Sequence, residues 1–143
     1  MNGKALVTGA AGFIGSHLSE RLVSDGWSVT GIDSFTDYYD PERKRMHISG
    51  LAGSKDFILV EEDLNSCDIA SHLDGVSCVF HLAAQAGVRR SWGAEFSHYI
   101  DSNILATQKL LEAMKDTGIP IVYSSSSSVY GETKDLPMRE EHV

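Results

Sequence analysis

Three glycines near the amino terminus have the spacing of a phosphate-binding turn. The segment from Gly9 to Gly15 reads Gly-Ala-Ala-Gly-Phe-Ile-Gly and lies between a short β-type run and an amphipathic stretch. At such a junction Gly9 would permit a sharp turn, Gly12 would let a diphosphate approach the backbone, and Gly15 would let the helix lie close to the sheet. Because a helix amino terminus offers free amides and partial positive charge, the spacing predicts a dinucleotide site.

A single acidic residue accompanies this turn. Asp33 ends the second β-type run, 18 positions after Gly15. That is near the spacing expected for a carboxylate that accepts hydrogen bonds from the hydroxyls of an adenosine ribose. A carboxylate there would repel a 2′-phosphate, so the pattern favours NAD over NADP. The plain alternative is a tight turn that binds no ligand.

Strand-like and helix-like segments alternate along the whole chain. We expect strands at residues 4–8, 27–32, 57–60, 78–82 and 121–123, and helices at 12–25, 41–49, 66–73 and 95–117. This order predicts parallel strands joined by right-handed crossovers, hence an α/β, Rossmann-type doubly wound sheet with helices on both faces. Residues 1–143 are expected to form one domain. The charged segment from 134 onward completes no further element, so the domain looks interrupted after the fifth strand.

Two of the helices have periodic apolar residues. In the first helix Ile14, Leu18 and Leu22 recur every four residues and predict one buried face, which Phe13 and Val23 widen. Gly26 stands where this helix should end. In the longest helix the apolar residues are expected along one side: Ile100, Ile104, Leu111 and Met114.

Composition excludes several classes of function. The formal net charge is −8, and the only basic cluster, Arg43-Lys44-Arg45, is interpreted as a solvated face, so no nucleic acid partner is expected. Cys67 and Cys78 have no metal-ligand spacing; we expect reduced thiols, no metal site and a cytoplasmic protein. No apolar run approaches the roughly 20 residues of a membrane span, so no membrane association is expected.

Several motifs together resemble one enzyme family. The Gly-x-x-Gly-x-x-Gly spacing, Asp63-Leu64 after the third strand, residues 81–89 after the fourth, and the serine-rich 124–131 after the fifth are similar to the extended short-chain dehydrogenase/reductases. Asn103 matches an asparagine that supports the active site there. Within this branch, residues 37–40 and 84–89 look most like NAD-dependent UDP-glucuronate 4-epimerases, with UDP-glucose 4-epimerases next.

The resemblance implies roles for individual residues. Ser126 would be the catalytic hydroxyl, Ser124 would face the cofactor, and Arg89 would meet an anionic group of the substrate. The cofactor NAD would be bound by residues after the strands and on the helices: Gly9, Gly12, Phe13, Ile14, Gly15, Asp33, Ser34, Asp63, Leu64, Leu82, Ala83, Ala84, Asn103 and Ser124. A UDP-sugar would be the substrate, oxidised transiently at C4. The full-length form would be a homodimer that packs the long helix, which alone would expose an apolar stripe.

Other residues leave alternatives open. Tyr130 and Lys134 have the family's Tyr-x-x-x-Lys spacing, but Gly131 follows the tyrosine in a loop-like segment, so we do not expect them to be the catalytic pair. We expect the true pair beyond Val143, and hence a chain that binds NAD without turning over substrate. The competing hypotheses are a nucleotide-sugar dehydratase or reductase and a non-catalytic NAD-binding module. His81 is expected to be packed, while Tyr38 and Tyr39 border the adenosine or cover a surface loop.

Overall fold

The computed structural model describes residues 2–87, 89, 91–133 and 136–142. Its strands form one parallel five-stranded sheet in the order β3-β2-β1-β4-β5. The strands are β1 (Lys4–Thr8), β2 (Ser28–Ile32), β3 (Phe57–Val60), β4 (Cys78–His81) and β5 (Ile121–Tyr123). The predicted doubly wound α/β fold is confirmed. Because the chain winds outward from β1 to β3 and then returns to β4, the order reverses between β1 and β4, where such sheets bind ligands.

Helices cover both faces of the sheet. Alternate residues of β1 point to opposite layers: Leu6 packs with α4 (Ala106–Met114), whereas Ala5 and Val7 pack with α1 (Phe13–Ser24). All three are fully buried. A strand with no solvent-facing side explains the nearly continuous apolar sequence of β1.

The first helix begins and ends at glycines. Gly12 is its N-cap residue, and Gly26 adopts a φ of +83° just after its last turn. The Gly26 amide donates to the Val23 carbonyl at 3.0 Å and the Trp27 amide to the Leu22 carbonyl at 2.9 Å, which satisfies two carbonyls of the last turn. The prediction that the first helix ends at Gly26 is confirmed.

The buried face of α1 differs from the predicted stripe. Phe13 and Ile14 are 70% and 62% exposed, and the residues that face the sheet are Gly15, Ser16, Ser19 and Leu22. The helix lies so close to the β1 turn that only small side chains fit in its first two turns. The prediction was therefore wrong for Phe13 and Ile14.

Two shorter elements differ in length from the prediction. Helix α2 (Pro41–His47) ends before residue 49, and a separate 3-10 turn (Ser49–Leu51) follows. The Asp40 carboxylate caps α2 by accepting a hydrogen bond from the Glu42 amide at 3.0 Å. The helix expected at 66–73 is only a 3-10 turn (Ile69–His72), although Ile69 and Leu73 still enter the core.

The long helix is not uniform. A 3-10 turn (Gly93–Glu95) leads into α3 (Phe96–Tyr99), a π-helical segment (Ile100–Leu105) and then α4, which ends at Met114 rather than 117. A π segment has a wider turn than an α-helix, so it changes which residues face the sheet beyond it.

Burial divides the predicted apolar stripe into an exposed part and a buried part. Ile100, Ile104 and Leu111 are 39%, 62% and 49% exposed, whereas Met114 is buried beside Leu110 of the same helix. The prediction of one common side is wrong for Met114. The exposed part of the stripe agrees with the expectation that this helix exposes apolar side chains to solvent. Within the described ranges, none of the helices has the length and apolar character required to cross a bilayer.

Candidate functional site

A crevice of about 510 Å³ opens at the carboxyl ends of the strands. Its walls include the residues that directly follow β1, β2, β4 and β5, namely Gly9, Asp33, Leu82 and Ser124. The volume lies within the range of sites for small molecules and cofactors. The crevice therefore occupies the position where the strand order reverses.

The glycine turn brings α1 against the sheet. Gly9 has a φ of +69°, and a Cβ there would lie 2.8 Å from the Ala83 nitrogen. A Cβ on Gly15 would lie 2.8 Å from the Gly9 carbonyl carbon and 2.9 Å from the Ala10 Cα, and closer still to the Gly9 carbonyl oxygen. Both positions therefore require glycine because of backbone neighbours.

The amino terminus of α1 opens at the crevice. No side chain of the described residues caps it, and its first turn contains no acidic residue. Within the described part of the chain, no hydrogen-bond acceptor is recorded for the Phe13 and Ile14 amides, and both residues line the crevice. Free amides and the positive end of the helix dipole attract an anion such as a diphosphate.

Asp33 lies across from this terminus and is tied to the glycine turn. Its Oδ2 accepts a hydrogen bond from the Ala11 amide at 3.1 Å, and its Oδ1 accepts from the Phe35 amide at 2.9 Å. The residue is 6% exposed. Since the carboxylate is fixed by backbone donors, its position relative to the turn is set before any ligand arrives.

Lys44 is the main correction to the sequence analysis. Its Nζ lies 2.9 Å from Asp33 Oδ1, and the two side chains are only 9% and 5% exposed. Its neighbours Arg43 and Arg45 are exposed as predicted, but Lys44 is a buried partner of Asp33 rather than part of a solvated face. The carboxylate attracts it into the crevice wall, because a buried charge needs a counter-ion.

Helix α2 contributes further residues that the sequence analysis missed. Arg43 and His47 line the crevice beside Lys44, and His47 Nδ1 donates to the Ala11 carbonyl at 3.1 Å. Tyr38 and Tyr39 also line it, and their place beside the adenosine stays a prediction. The available signal was the Asp40-Pro41 helix start, which places residues three and four apart on one face.

The loop after β4 forms another wall of the crevice, and residues of the long helix hold this loop in place. Asn103, in the π-helical segment, accepts from the Gln85 amide at 2.6 Å through Oδ1 and donates to the Gln85 carbonyl at 3.1 Å through Nδ2. The Tyr99 hydroxyl donates to the Gly87 carbonyl at 2.5 Å and lies 3.1 Å from the Ala86 carbonyl. Because π-bulges often occur at functional sites, this anchoring of the loop after β4 agrees with a binding role for the wall.

Comparison with known proteins identifies the family. The profile of the NAD dependent epimerase/dehydratase family matches residues 5–143. The chain belongs to this family. It is 47% identical over 142 residues to UDP-glucuronate 4-epimerase 6 of Arabidopsis thaliana, covering 96% of this chain and 30% of that protein. It is 49% identical over 131 residues to the uncharacterized UDP-glucose epimerase YtcB of Bacillus subtilis, covering 90% of this chain and 42% of that protein.

A solved structure of the same family has the same fold. The UDP-glucuronic acid 4-epimerase from Bacillus cereus, in complex with UDP-glucuronic acid and NAD, superimposes with a TM-score of 0.88 at 41% identity. The match covers 96% of this chain and 44% of that one. The chain thus spans less than half the length of the family members it matches.

Most of the site residues that were predicted from the sequence of this chain line the crevice. All the cofactor residues named from the sequence line it except Asn103. Asn103 and the proposed catalytic Ser126 line a smaller adjoining cavity of about 260 Å³. Ser124 borders both cavities. The two cavities thus share the end of β5.

His81 is packed between two threonines, as the sequence predicts. It is 1% exposed, with Nδ1 2.6 Å from the Thr8 hydroxyl and Nε2 2.9 Å from the Thr107 hydroxyl. Thr107 donates its own proton to the Asn103 carbonyl, so it accepts from His81 Nε2–H. Thr8 then donates to Nδ1 and accepts from the Leu82 and Ala83 amides. Burial lowers the pKa of His81, which agrees with this neutral form.

The buried neutral histidine predicts a dependence of stability on pH. Unfolded His81 gains a proton near its ordinary pKa of about 6.5, whereas the folded form resists protonation, so the unfolded state binds more protons below that pH. We expect the free energy of unfolding to fall between pH 7.5 and 5, with His81 contributing at most about 1.4 kcal/mol per pH unit.

The measurement is urea unfolding at several pH values. His81→Asn should reduce the change of the free energy of unfolding with pH. His98→Asn, which replaces an exposed histidine, should leave this pH dependence unchanged. Equal slopes in the wild type and His81→Asn would contradict the assignment of a neutral buried ring.

The serine run is an exposed strand end in which Ser126 is hydrogen-bonded to Ser128. The Ser124 amide donates to the His81 carbonyl at 3.1 Å and so extends the β4–β5 pairing. Ser126 Oγ accepts from the Ser128 amide at 3.2 Å and caps a 3-10 turn (Ser127–Tyr130). The catalytic role of Ser126 stays a prediction.

Two further predictions concern residues outside the crevice. Arg89 is exposed and is not among the residues lining either cavity, and its predicted substrate contact stays a prediction. Tyr130 belongs to a 3-10 turn, not to an α-helix, and Lys134 lies outside the described residues. The described residues that follow Tyr130, 131–133, are not helical.

The cysteines have the character of unreactive thiols. Burial, with the nearby Glu62 carboxylate, raises the pKa of Cys67 to about 11, and burial also raises the pKa of Cys78. A thiol with a raised pKa is protonated at neutral pH and is a poor nucleophile. Across the described ranges, no group of three or more His, Cys, Asp or Glu side chains is placed to hold a metal ion.

Proposed function

We propose that this chain is the cofactor-binding part of an NAD-dependent nucleotide-sugar 4-epimerase that acts on a UDP-hexose or UDP-hexuronate. The family membership and the printed names of its relatives support the reaction class. The crevice supports the cofactor. Since the chain spans under half the length of those relatives, we propose that the complete reaction belongs to a longer protein.

One observation carries the proposal: the uncapped terminus of α1 opens into the crevice with the Asp33 carboxylate beside it. The terminus fits the pyrophosphate of NAD, and the carboxylate fits the adenosine ribose. Gly9 and Gly15 leave the backbone free of side chains on this path. The residues present therefore fit the dinucleotide.

Bound NAD would accept a hydride from C4 of the sugar and return it. In the smaller cavity we assign Ser126 the task of hydrogen-bonding the reacting oxygen, since it borders that cavity with Ser124. Asn103 would hold the wall between helix and cofactor through Gln85. We assign no proton transfer to Tyr130, because it lacks the helical setting that such a pair requires.

The proposal extends to partners of the longer protein. A UDP-sugar is the proposed substrate, with Arg89 as a candidate contact for its anionic group. Homodimer formation through the long helix is supported by the exposure of Ile100, Ile104 and Leu111. Association of this kind buries apolar side chains that solvent would otherwise cover.

Calorimetry of the purified chain tests the cofactor. We expect NAD to bind, and NADP to bind at least about 10-fold more weakly because the Asp33 carboxylate opposes a 2′-phosphate. UDP-glucuronate and UDP-glucose added with NAD should give no epimer, since Tyr130 lies in a 3-10 turn and lacks the helical setting of a catalytic base. Absence of NAD binding, or a preference for NADP, would refute the cofactor assignment, and epimer formation would refute the proposed inactivity.

A further inference from the structure

The Asp33 carboxylate has little hydrogen-bonding capacity left for a ligand. Oδ1 already accepts from the Phe35 amide and from Lys44 Nζ, both at 2.9 Å, and Oδ2 accepts from the Ala11 amide at 3.1 Å. Each carboxylate oxygen accepts about two hydrogen bonds. Oδ1 is therefore full, and Oδ2 can accept one more.

Lys44, in contrast, has hydrogen-bond donors available for a ligand. An ammonium group has three donors, and in the described part of the chain the only acceptor recorded for Lys44 Nζ is Asp33. The side chain is 9% exposed and lines the crevice, where the rings of Phe35 and Tyr39 lie 5.8 and 5.6 Å from Nζ. Aromatic faces stabilise a cation but leave its hydrogen-bond donors unused.

A ribose presents two adjacent hydroxyls. Each hydroxyl can donate one hydrogen bond, and its oxygen can accept hydrogen bonds. A carboxylate with both oxygens free can accept from the two hydroxyls together. Asp33 cannot do so, because only one acceptor position on Oδ2 remains. A second group must therefore satisfy the other hydroxyl, and Lys44 Nζ is a donor within 2.9 Å of the same carboxylate.

We propose that Lys44 is a cofactor-binding residue that forms an acceptor–donor pair with Asp33 for the vicinal diol of the adenosine ribose. Asp33 Oδ2 accepts from one hydroxyl, and Lys44 Nζ donates to the oxygen of the other. The inference rests on the proposed binding of NAD. It predicts that the two hydroxyls are recognised by two different side chains, so that their contributions can be removed separately.

The test compares three ligands by calorimetry: NAD and its analogues lacking either the 2′- or the 3′-hydroxyl of the adenosine ribose. The wild-type chain should bind each analogue about 10-fold or more weakly than NAD, as expected for hydrogen bonds to charged groups. In Lys44→Met the penalty for one missing hydroxyl should disappear, while the penalty for the other stays. Persistence of both penalties in Lys44→Met would overturn the proposal.

Two further variants serve as a control and as a replacement for a variant that does not fold. Arg45→Met removes a cation from the same helix at an exposed residue paired with Glu61 outside the crevice, and should keep both penalties. If Lys44→Met does not fold, Asp33→Asn/Lys44→Met avoids a lone buried charge and should lack the penalty that depends on Lys44; retention of both penalties would contradict the pair. Failure of the wild type to bind NAD would instead refute the proposed function.

Discussion

Gly15→Ala is expected to lower the free energy of unfolding by about 3 kcal/mol or more and to abolish measurable NAD binding. The new methyl group would lie 2.8 Å from the Gly9 carbonyl carbon and 2.9 Å from the Ala10 Cα. These are backbone atoms of the turn itself, so no side-chain rotation relieves the clash. Helix α1 would have to move away from β1, and its amides would leave the crevice.

The matched control is Gly50→Ala. Its Cβ would meet only the end of the Glu20 side chain, at 3.0 Å, and that side chain can rotate away. We expect a change of less than about 1 kcal/mol and unaltered NAD binding. Urea unfolding and calorimetry measure both quantities. A Gly15→Ala chain with wild-type stability and affinity would show that the helix does not need this close contact.

Asp33→Asn is expected to cost about 3–5 kcal/mol of stability and to weaken NAD binding by about 10-fold or more. The substitution keeps the shape of the side chain but removes the counter-ion of Lys44, whose side chain is 9% exposed. An unpaired buried ammonium is destabilising because the protein interior does not replace its hydration. The amide group also offers only one oxygen, whereas the carboxylate holds three donors.

The double variant separates the two effects. Asp33→Asn/Lys44→Met removes both charges and should recover most of the lost stability without restoring NAD affinity. Thermal unfolding and calorimetry on the same samples give the two values. Recovery of affinity together with stability would mean that Asp33 acts only through folding, which would remove it from the ribose site.

The sequence predicted the parallel sheet and the glycine turn because both depend on local patterns. Apolar strands alternating with helices allow few topologies, and the observed sheet order is one of them. Gly9, Gly12 and Gly15 occupy the predicted turn because only glycine tolerates the φ of +69° at Gly9 and the backbone contact at Gly15. Gly26 ended α1 as predicted for the same local reason.

Other features depended on contacts between distant segments. The phase of the long helix changed at the π-helical segment, where Asn103 binds the Gln85 backbone 18 positions earlier in the chain. Helical periodicity assumes a constant turn, so it could not assign the buried side of the helix beyond that segment, where Leu110 and Met114 face the core. Phe13 and Ile14 fitted an apolar stripe, but the close approach of Gly15 to the sheet turned them to the crevice.

The amino-acid sequence by itself determined the sheet, the turn that can receive a diphosphate and the carboxylate beside it, because each is encoded within a short stretch of chain. Only the tertiary structure decided that Lys44 belongs to the site. In sequence it is one of three adjacent cations with no feature that distinguishes it, and its charge alone predicts exposure. The fold places it 2.9 Å from Asp33 in a nearly closed wall, where attraction to the carboxylate offsets the loss of water.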